Sequence, residues 1–326
     1  MDSVLKNFTD EIEELKKHIH YIKNVNKYVP IQDQLFSYIN SSTKKKFNYK
    51  SLIISLYGII EFYSENFLTK YLEEMNHIIP HYNELKQKIK ETNLINSANL
   101  TLKVIENKHH KYHGLNAEDI ITNLNSCLTN LNPYTINYPS FTLLSGNLKH
   151  SKICELFKQI DINIEQQFNQ LTDFKNISSE NKYHKIDDIV DRRNEIAHGS
   201  LNNILDISEF PDYVDFIERY FKSLYQILKF DIEQEKLKYA INYNSIEFEN
   251  VRVFPGNIIG FTNVKKIWFR KSDRIIVQKI EGELSIAKIS DLKPFKKTNE
   301  ITLKLKPKTN LKDNQKFYLY RNNFRK

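Results

Sequence analysis

The run Arg192-Arg193-Asn194-Glu195-Ile196-Ala197-His198 puts two guanidinium groups, an amide and an imidazole within two helical turns. A guanidinium binds anionic oxygens through a planar fork, an imidazole moves protons near neutral pH, and an amide orients either one. Together they offer acid–base cleavage of a phosphodiester, with arginine and histidine in place of a metal. The residues around them read as a helix from about 183 to 198, closed by Gly199. Ile186, Ile189, Val190 and Ala197 fall on one apolar face at about 100° per residue, and Arg193 falls in its middle. Burying an unpaired guanidinium is costly, so this placement implies an acidic partner, a ligand or a subunit interface. A salt-bridged arginine without further role is the plainer alternative. Asn194 and His198, four residues apart, share a neighbouring face. His198 stands at the helix end, where the macrodipole favours a protonated ring suited to donating a proton.

The elements that must carry this helix are themselves helical as far as residue 240. Leu5, Phe8, Ile12, Leu15, Ile19 and Ile22 recur at three- and four-residue intervals in an amphipathic helix over 3–27. A more apolar helix over 51–74 reads as the core helix, ended before Pro80. Further helical segments lie in 81–130, a turn-rich loop follows at 132–139, and 149–171 reads as one helix. Pro211 opens a long helix to about residue 240. On the core helix, Glu61 is a possible acidic partner for Arg193, while Phe62, Tyr63 and Phe67 read as core side chains.

Beyond Asn244 the period changes to two. Ile301 to Lys306 alternates strictly, and the runs 275–280 and 284–289 flank Glu281-Gly282-Glu283 as a hairpin. Val251 to Val253 and Phe317 to Tyr320 add further strands. The expected fold class is therefore α+β: an N-terminal all-α bundle over 1–240, then a small C-terminal β-barrel or β-rich domain of five to seven strands over 245–326.

Charge follows the same division. Residues 245–326 hold 19 Lys and Arg against 8 Asp and Glu, a net +11, whereas residues 1–244 carry −3. That asymmetry favours a phosphate backbone or an acidic partner. Lys265, Lys266, Arg270, Lys271 and Arg274 interleave with Trp268 as in a nucleic-acid-binding surface; the competing reading is a lysine-rich exterior around one core tryptophan.

Other chemistry is not supported. The two cysteines, Cys127 and Cys154, lie outside any metal spacing and read as buried thiols of a reducing cytosol. His109, His110 and His113 have metal-like spacing but no accompanying cysteine. No GxxxxGK, GxGxxG, GxSxG or HExxH pattern occurs. The longest apolar stretch, Leu52 to Ile60, is far short of the roughly 20 residues a membrane span needs. The start of the chain lacks a signal-peptide pattern, so a cytoplasmic location is expected.

Arg193-Asn194-Glu195-Ile196-Ala197-His198, on a helix of an all-α domain, resembles the motif of the HEPN superfamily: Arg, a polar residue, three or more residues, His. The likeness extends over about residues 1–235 and is closest to the RiboL-PSP and MAE-like branches. The N-terminal helix, the helix at 51–74 and Ser145-Gly146-Asn147-Leu148 before Ile153 to Ile160 are supporting pieces. The resemblance implies a dimer-forming helical bundle with ribonuclease activity, often in toxin–antitoxin or anti-phage systems, acting on an RNA substrate without a cofactor. His198 would be the general acid or base, Arg193 would hold non-bridging oxygens, and Asn194 would position His198 or the phosphate. Arg192, on a different face, is a weaker candidate for RNA backbone contact. Arg193 and His198 diverge by about 140° on one helix, which favours two motifs facing each other across a twofold axis. The competing readings are a non-catalytic HEPN-type RNA or nucleotide binder, and a scaffold that docks a defence or antitoxin protein.

Overall fold

Leu52, Ile53, Leu56, Ile60, Phe67, Leu68, Tyr71, Leu72 and Met75 are buried along a single helix, and the rest of the helical unit is assembled on it. In a computed structural model, residues 1–28, 41–106, 112, 114–143, 147–175, 182–200, 203–262, 268–270, 272–295, 300–307 and 310–321 are described. The chain forms two compact units, Met1–Lys229 and Phe230–Lys326. The helices are α1 (Asp2–Tyr28), α2 (Ser41–Ile78), α3 (Gln87–Glu106), α4 (Ala117–Leu128), α5 (His150–Lys158), α6 (Ile164–Phe168), α7 (Thr172–Lys175), α8 (His184–Ala197) and α9 (Phe210–Asn244). The unit boundary falls inside α9, so the end of helical periodicity and the change of unit do not coincide.

In the first unit, α1 presents Phe8, Ile12, Leu15, Ile19 and Ile22 to the core, all of them buried. This is the stripe its spacing predicts, except that Leu5 at its start is half-buried. Phe8 meets Tyr63 of α2 edge-on at 5.1 Å and Phe221 of α9 at 5.2 Å. The core helix is longer than its apolar stretch, at 38 residues. The single helix expected over 149–171 is two, α5 and α6. The chain turns at Asp161, whose φ is 62°, and Asn163 restarts the helix by accepting the Gln166 N–H at 3.2 Å. Without Gly or Pro at the break, the apolar pattern runs through it unmarked. No helix among the described residues is long and apolar enough to cross a membrane. Cys127 and Cys154 are buried free thiols, and burial pushes them up to about 11 and about 12.

The second unit contains seven antiparallel strands: β1 (Ser245–Glu247), β2 (Arg252–Phe254), β3 (Ile258–Thr262), β4 (Arg274–Gln278), β5 (Leu284–Phe295), β6 (Glu300–Lys306) and β7 (Lys316–Tyr320). Their order is β1-β7-β4-β5-β6-β3-β2. The expected barrel is corrected here. β1 and β2 are the two edges, and among the described residues no ladder joins them, so the sheet is open. In-and-out alternation is shared by closed barrels and by open sheets that curl; closure depends on edge pairing, which alternation does not encode. Curling is evident inside: Phe248, just past β1, stacks on Phe261 of β3 with ring centroids 4.2 Å apart, and Ile259, Ile275, Ala287, Leu303 and Phe317 fill the same face. The other face of β4, β5 and β7 meets the end of α9, where Ile276, Leu284, Tyr318 and Tyr320 pack with Ala240. The hairpin of β4 and β5 pairs Ile276 with Ile286, and its turn uses Gly282 at φ 87°.

Candidate active site

Helix α8 is held by its buried stripe and by carboxylates. Ile186, Ile189 and Val190 are fully buried, each contributing on the order of 1.5–3 kcal/mol. Asp187 accepts the backbone N–H of His150 at 2.8 Å, and Asp191 pairs with Lys149 at 2.7 Å, fixing α8 against the start of α5. Asp188 accepts from Arg192 Nε and from the Tyr213 hydroxyl, both at 2.6 Å.

Beneath the first turn lies His150. It stacks on Tyr183 with ring centroids 3.4 Å apart, its Nδ1 meets the Tyr220 hydroxyl at 3.0 Å, and its Nε2 meets Cys154 Sγ at 3.3 Å. Burial lowers its pKa to about 4. The unfolded chain, with an ordinary imidazole, binds a proton through the window between pH 6.5 and 4 that the folded chain refuses, so stability falls as the pH falls through that window. The expected loss between pH 7 and pH 5 is about 2 kcal/mol. Thermal unfolding of the parent and His150→Gln against pH checks this: the variant should have a flatter profile, and an identical acid loss would assign the effect elsewhere.

The helix stops where the sequence says it must. His198 is the C-cap and its N–H donates to Asn194 O at 2.9 Å. Gly199 adopts φ 77°, and Ser200 N–H reaches back to Glu195 O at 2.9 Å, closing the end as a Schellman turn. Any Cβ at 199 would strain that left-handed backbone. The His198 side chain is exposed, and no hydrogen bond holds it among the described residues.

Arg193 is half-buried, and its expected apolar surroundings are corrected. The buried stripe ends at Val190, and Ala197 is exposed. Nor does Glu61 pair with it. The guanidinium instead lies 4.8 Å over the ring of Tyr57 on α2, and its Nη1 donates to Asn194 Oδ1 at 3.3 Å. A ring face attracts the cation and keeps it flat while leaving its outward edge free for an anion. Burial and the nearby Glu61 raise the Tyr57 hydroxyl pKa, which keeps it neutral. The Asn194 amide oxygen thus faces Arg193, and among the described residues no hydrogen bond joins the Asn194 side chain to the His198 ring it was expected to position.

Arg192 is differently committed. Besides Asp188, it donates to the Asn203 carbonyl at 2.6 Å and to the Tyr49 hydroxyl at 3.3 Å. Its guanidinium ties α8 to α2 and to the segment before α9. Of the basic residues singled out in the second unit, Lys265, Lys266 and Lys271 lie outside the described residues, as do His109, His110, His113, Ser145 and Gly146. Arg270 is exposed and its backbone N–H donates to Asp273 at 2.9 Å. Arg274 is half-buried at the start of β4. The core-tryptophan reading is overturned, because Trp268 is 86% exposed.

Around Arg193, α2 presents an uncovered face. Ile54 and Phe62 are 53% and 58% exposed, with Gly58 between them at four-residue spacing. Phe62 therefore does not belong to the core, whereas Tyr63 and Phe67 do. Tyr57 and this face escaped the sequence reading, because which side of an apolar helix stays uncovered is decided by its neighbours.

The model of the RiboL-PSP-HEPN family matches residues 6–229, which include every residue of α8. No curated protein and no solved structure matches the chain.

Proposed function

The chain belongs to the RiboL-PSP-HEPN family, and on that premise we propose that it is an endoribonuclease whose active site is assembled from two copies of α8. HEPN families include ribonucleases, and the observation that supports this activity here is the pairing of Arg193, held flat on Tyr57 with Asn194 beside it, with an exposed His198 one turn further on.

In the reaction proposed, the RNA 2′-oxygen attacks the adjacent phosphorus, the bond to the 5′-oxygen breaks, and the phosphate closes as a 2′,3′-cyclic ester. His198 takes the 2′ proton or supplies the one that the leaving 5′-oxygen needs. Arg193 stabilises the charge that builds on the non-bridging oxygens. The protein need supply only position, a proton relay and positive charge. Cutting of end-labelled RNA by the purified chain in EDTA supports this reading; intact RNA under those conditions rejects it.

One helix points Arg193 and His198 about 140° apart; a second copy facing it brings an arginine of one subunit near a histidine of the other. The uncovered Ile54–Gly58–Phe62 face of α2, beside Arg193, supplies the apolar surface for such a homodimer. Gly58 gives a specific test. A Cβ there meets nothing within 4 Å, so its own chain does not require glycine, and a mid-helix glycine costs about 1 kcal/mol. Gly58→Gln should raise subunit stability by up to about that amount while light scattering shows the mass falling to that of one 38.8 kDa chain and cleavage falling with it. A fully active, dimeric variant would place the dimer elsewhere.

The cellular role proposed is that of a toxin or anti-phage effector in the cytoplasm, restrained by an antitoxin or defence-system partner. Toxicity on expression, lost in a His198 variant, is the matching readout.

A further inference from the structure

Three adjacent strands of the second unit set like charges directly against each other. Arg274 on β4 is paired in register with Lys288 on β5, Lys288 with Lys306 on β6, and Arg274 on its other side with Tyr320 on β7. Residues paired in register share a face, and like charges so placed destabilise a sheet. With strands about 4.8 Å apart, the three cations span about 10 Å in a line across the strands. Lys288 and Lys306 are exposed. Among the described residues, the ion pairs of this unit join Lys238 to Glu235, Lys279 to Glu283, Lys316 to Glu247 and Arg321 to Asp273. The row itself has no carboxylate. Arg274 donates to the carbonyls of Ser272 and Asp273 at 2.7 and 3.1 Å, which fixes the guanidinium without neutralising it.

A further feature adjoins this row. A groove of about 630 Å³ opens between the end of α9 and the sheet, with Arg274 and Tyr320 on one side, Leu237 and Ile286 in its apolar lining, and Phe230 and Lys236 from α9. Its Glu283 is neutralised by Lys279 at 2.7 Å; Glu233 stands on the α9 side.

We propose that this face of the second unit binds unpaired RNA, with phosphates along Arg274, Lys288 and Lys306 and a base in the groove against the exposed ring of Phe230. An acidic polypeptide would satisfy the cations but give the Phe230 ring no flat partner, whereas a single strand offers both charges and exposed ring faces. A duplex would offer the charges and hide the rings. The choice of RNA rests on the ribonuclease reading; the site does not require that the chain cut what it holds here.

The test uses the full chain and a fluorescent 2′-O-methyl oligouridylate of about 12 nucleotides, a length within the usual single-strand site sizes and lacking the nucleophile for cleavage. In the parent, anisotropy should show binding that weakens with salt. Arg274→Gln/Lys288→Gln/Lys306→Gln should lower the slope of log affinity against log salt by about 2, since each phosphate contact on a single strand contributes about 0.7. Phe230→Ala should weaken binding about tenfold with the slope unchanged. Because Arg274 is half-buried, the exposed pair Lys288→Gln/Lys306→Gln is measured beside the triple variant and should lower the slope by about 1.4. Parent-like affinity and slope in both multiple variants would overturn the proposal, as would polyglutamate binding that matches RNA and ignores Phe230. The two readings fail separately: parent-like RNA binding by these variants with His198-dependent cleavage intact removes only this site, and variant-sensitive binding by a chain that never cuts RNA removes only the ribonuclease.

Discussion

Replacing His198 with alanine should reduce RNA cleavage by about 10²- to 10⁴-fold, the usual worth of a positioned general acid or base. The fold should not notice. His198 is exposed, lies past the last helical residue and closes the helix through its backbone N–H rather than its ring, so unfolding should change by no more than about 0.5 kcal/mol. Separation of the two effects makes the experiment informative: circular dichroism and thermal unfolding of the variant should overlay the parent while the rate collapses. Equal cleavage by both would remove His198 from the chemistry.

The second large effect is expected at Arg193, and the informative substitution is lysine. Arg193→Lys keeps a cation near the Tyr57 ring, so packing and stability are largely retained. What disappears is the planar fork that can grip two oxygens of one phosphate. If the guanidinium acts on the charge of the transition state, kcat should fall by about 10²- to 10³-fold with KM changing far less. A rise in KM at constant kcat would instead make Arg193 a binding residue, and an unchanged rate would leave it as a cation that covers Tyr57. Arg193→Ala should show the same loss of rate with a further loss of stability of up to about 2 kcal/mol as the ring loses its cover.

How far these features could be read without coordinates differs by residue. The motif helix was legible almost to the residue, because Ile186, Ile189 and Val190 set its period and Gly199 ends it. The β4–β5 hairpin was legible because Glu281-Gly282-Glu283 interrupts two alternating runs. The break between α5 and α6 was not, since Asp161 adopts a left-handed conformation without glycine. The partner of Arg193 was not either. An arginine amid apolar spacing demands some compensation, but a carboxylate and a ring face satisfy that demand equally, and only the packing of α2 on α8 selects Tyr57. Around Trp268 the local run of basic residues drew attention to positions 265–274, whereas Lys288 and Lys306 join Arg274 only through strand register. A register shift between Ile289 and Asp291 further hides from simple counting how β5 and β6 align. Spacing along a chain reports faces of single elements; which faces meet is settled by the remainder of the fold.

Whether paired α8 helices cut RNA through the 2′-hydroxyl is decided by the chemical ends of the products. Purified protein is incubated with end-labelled RNA in EDTA, and the termini are identified by their response to phosphatase and kinase. Cleavage is expected from the parent but not from His198→Ala, with a 2′,3′-cyclic phosphate, opening to a 3′-phosphate, on the upstream fragment and a free 5′-hydroxyl on the downstream one. Fragments with 3′-hydroxyl and 5′-phosphate ends, or cleavage that EDTA abolishes, would contradict it.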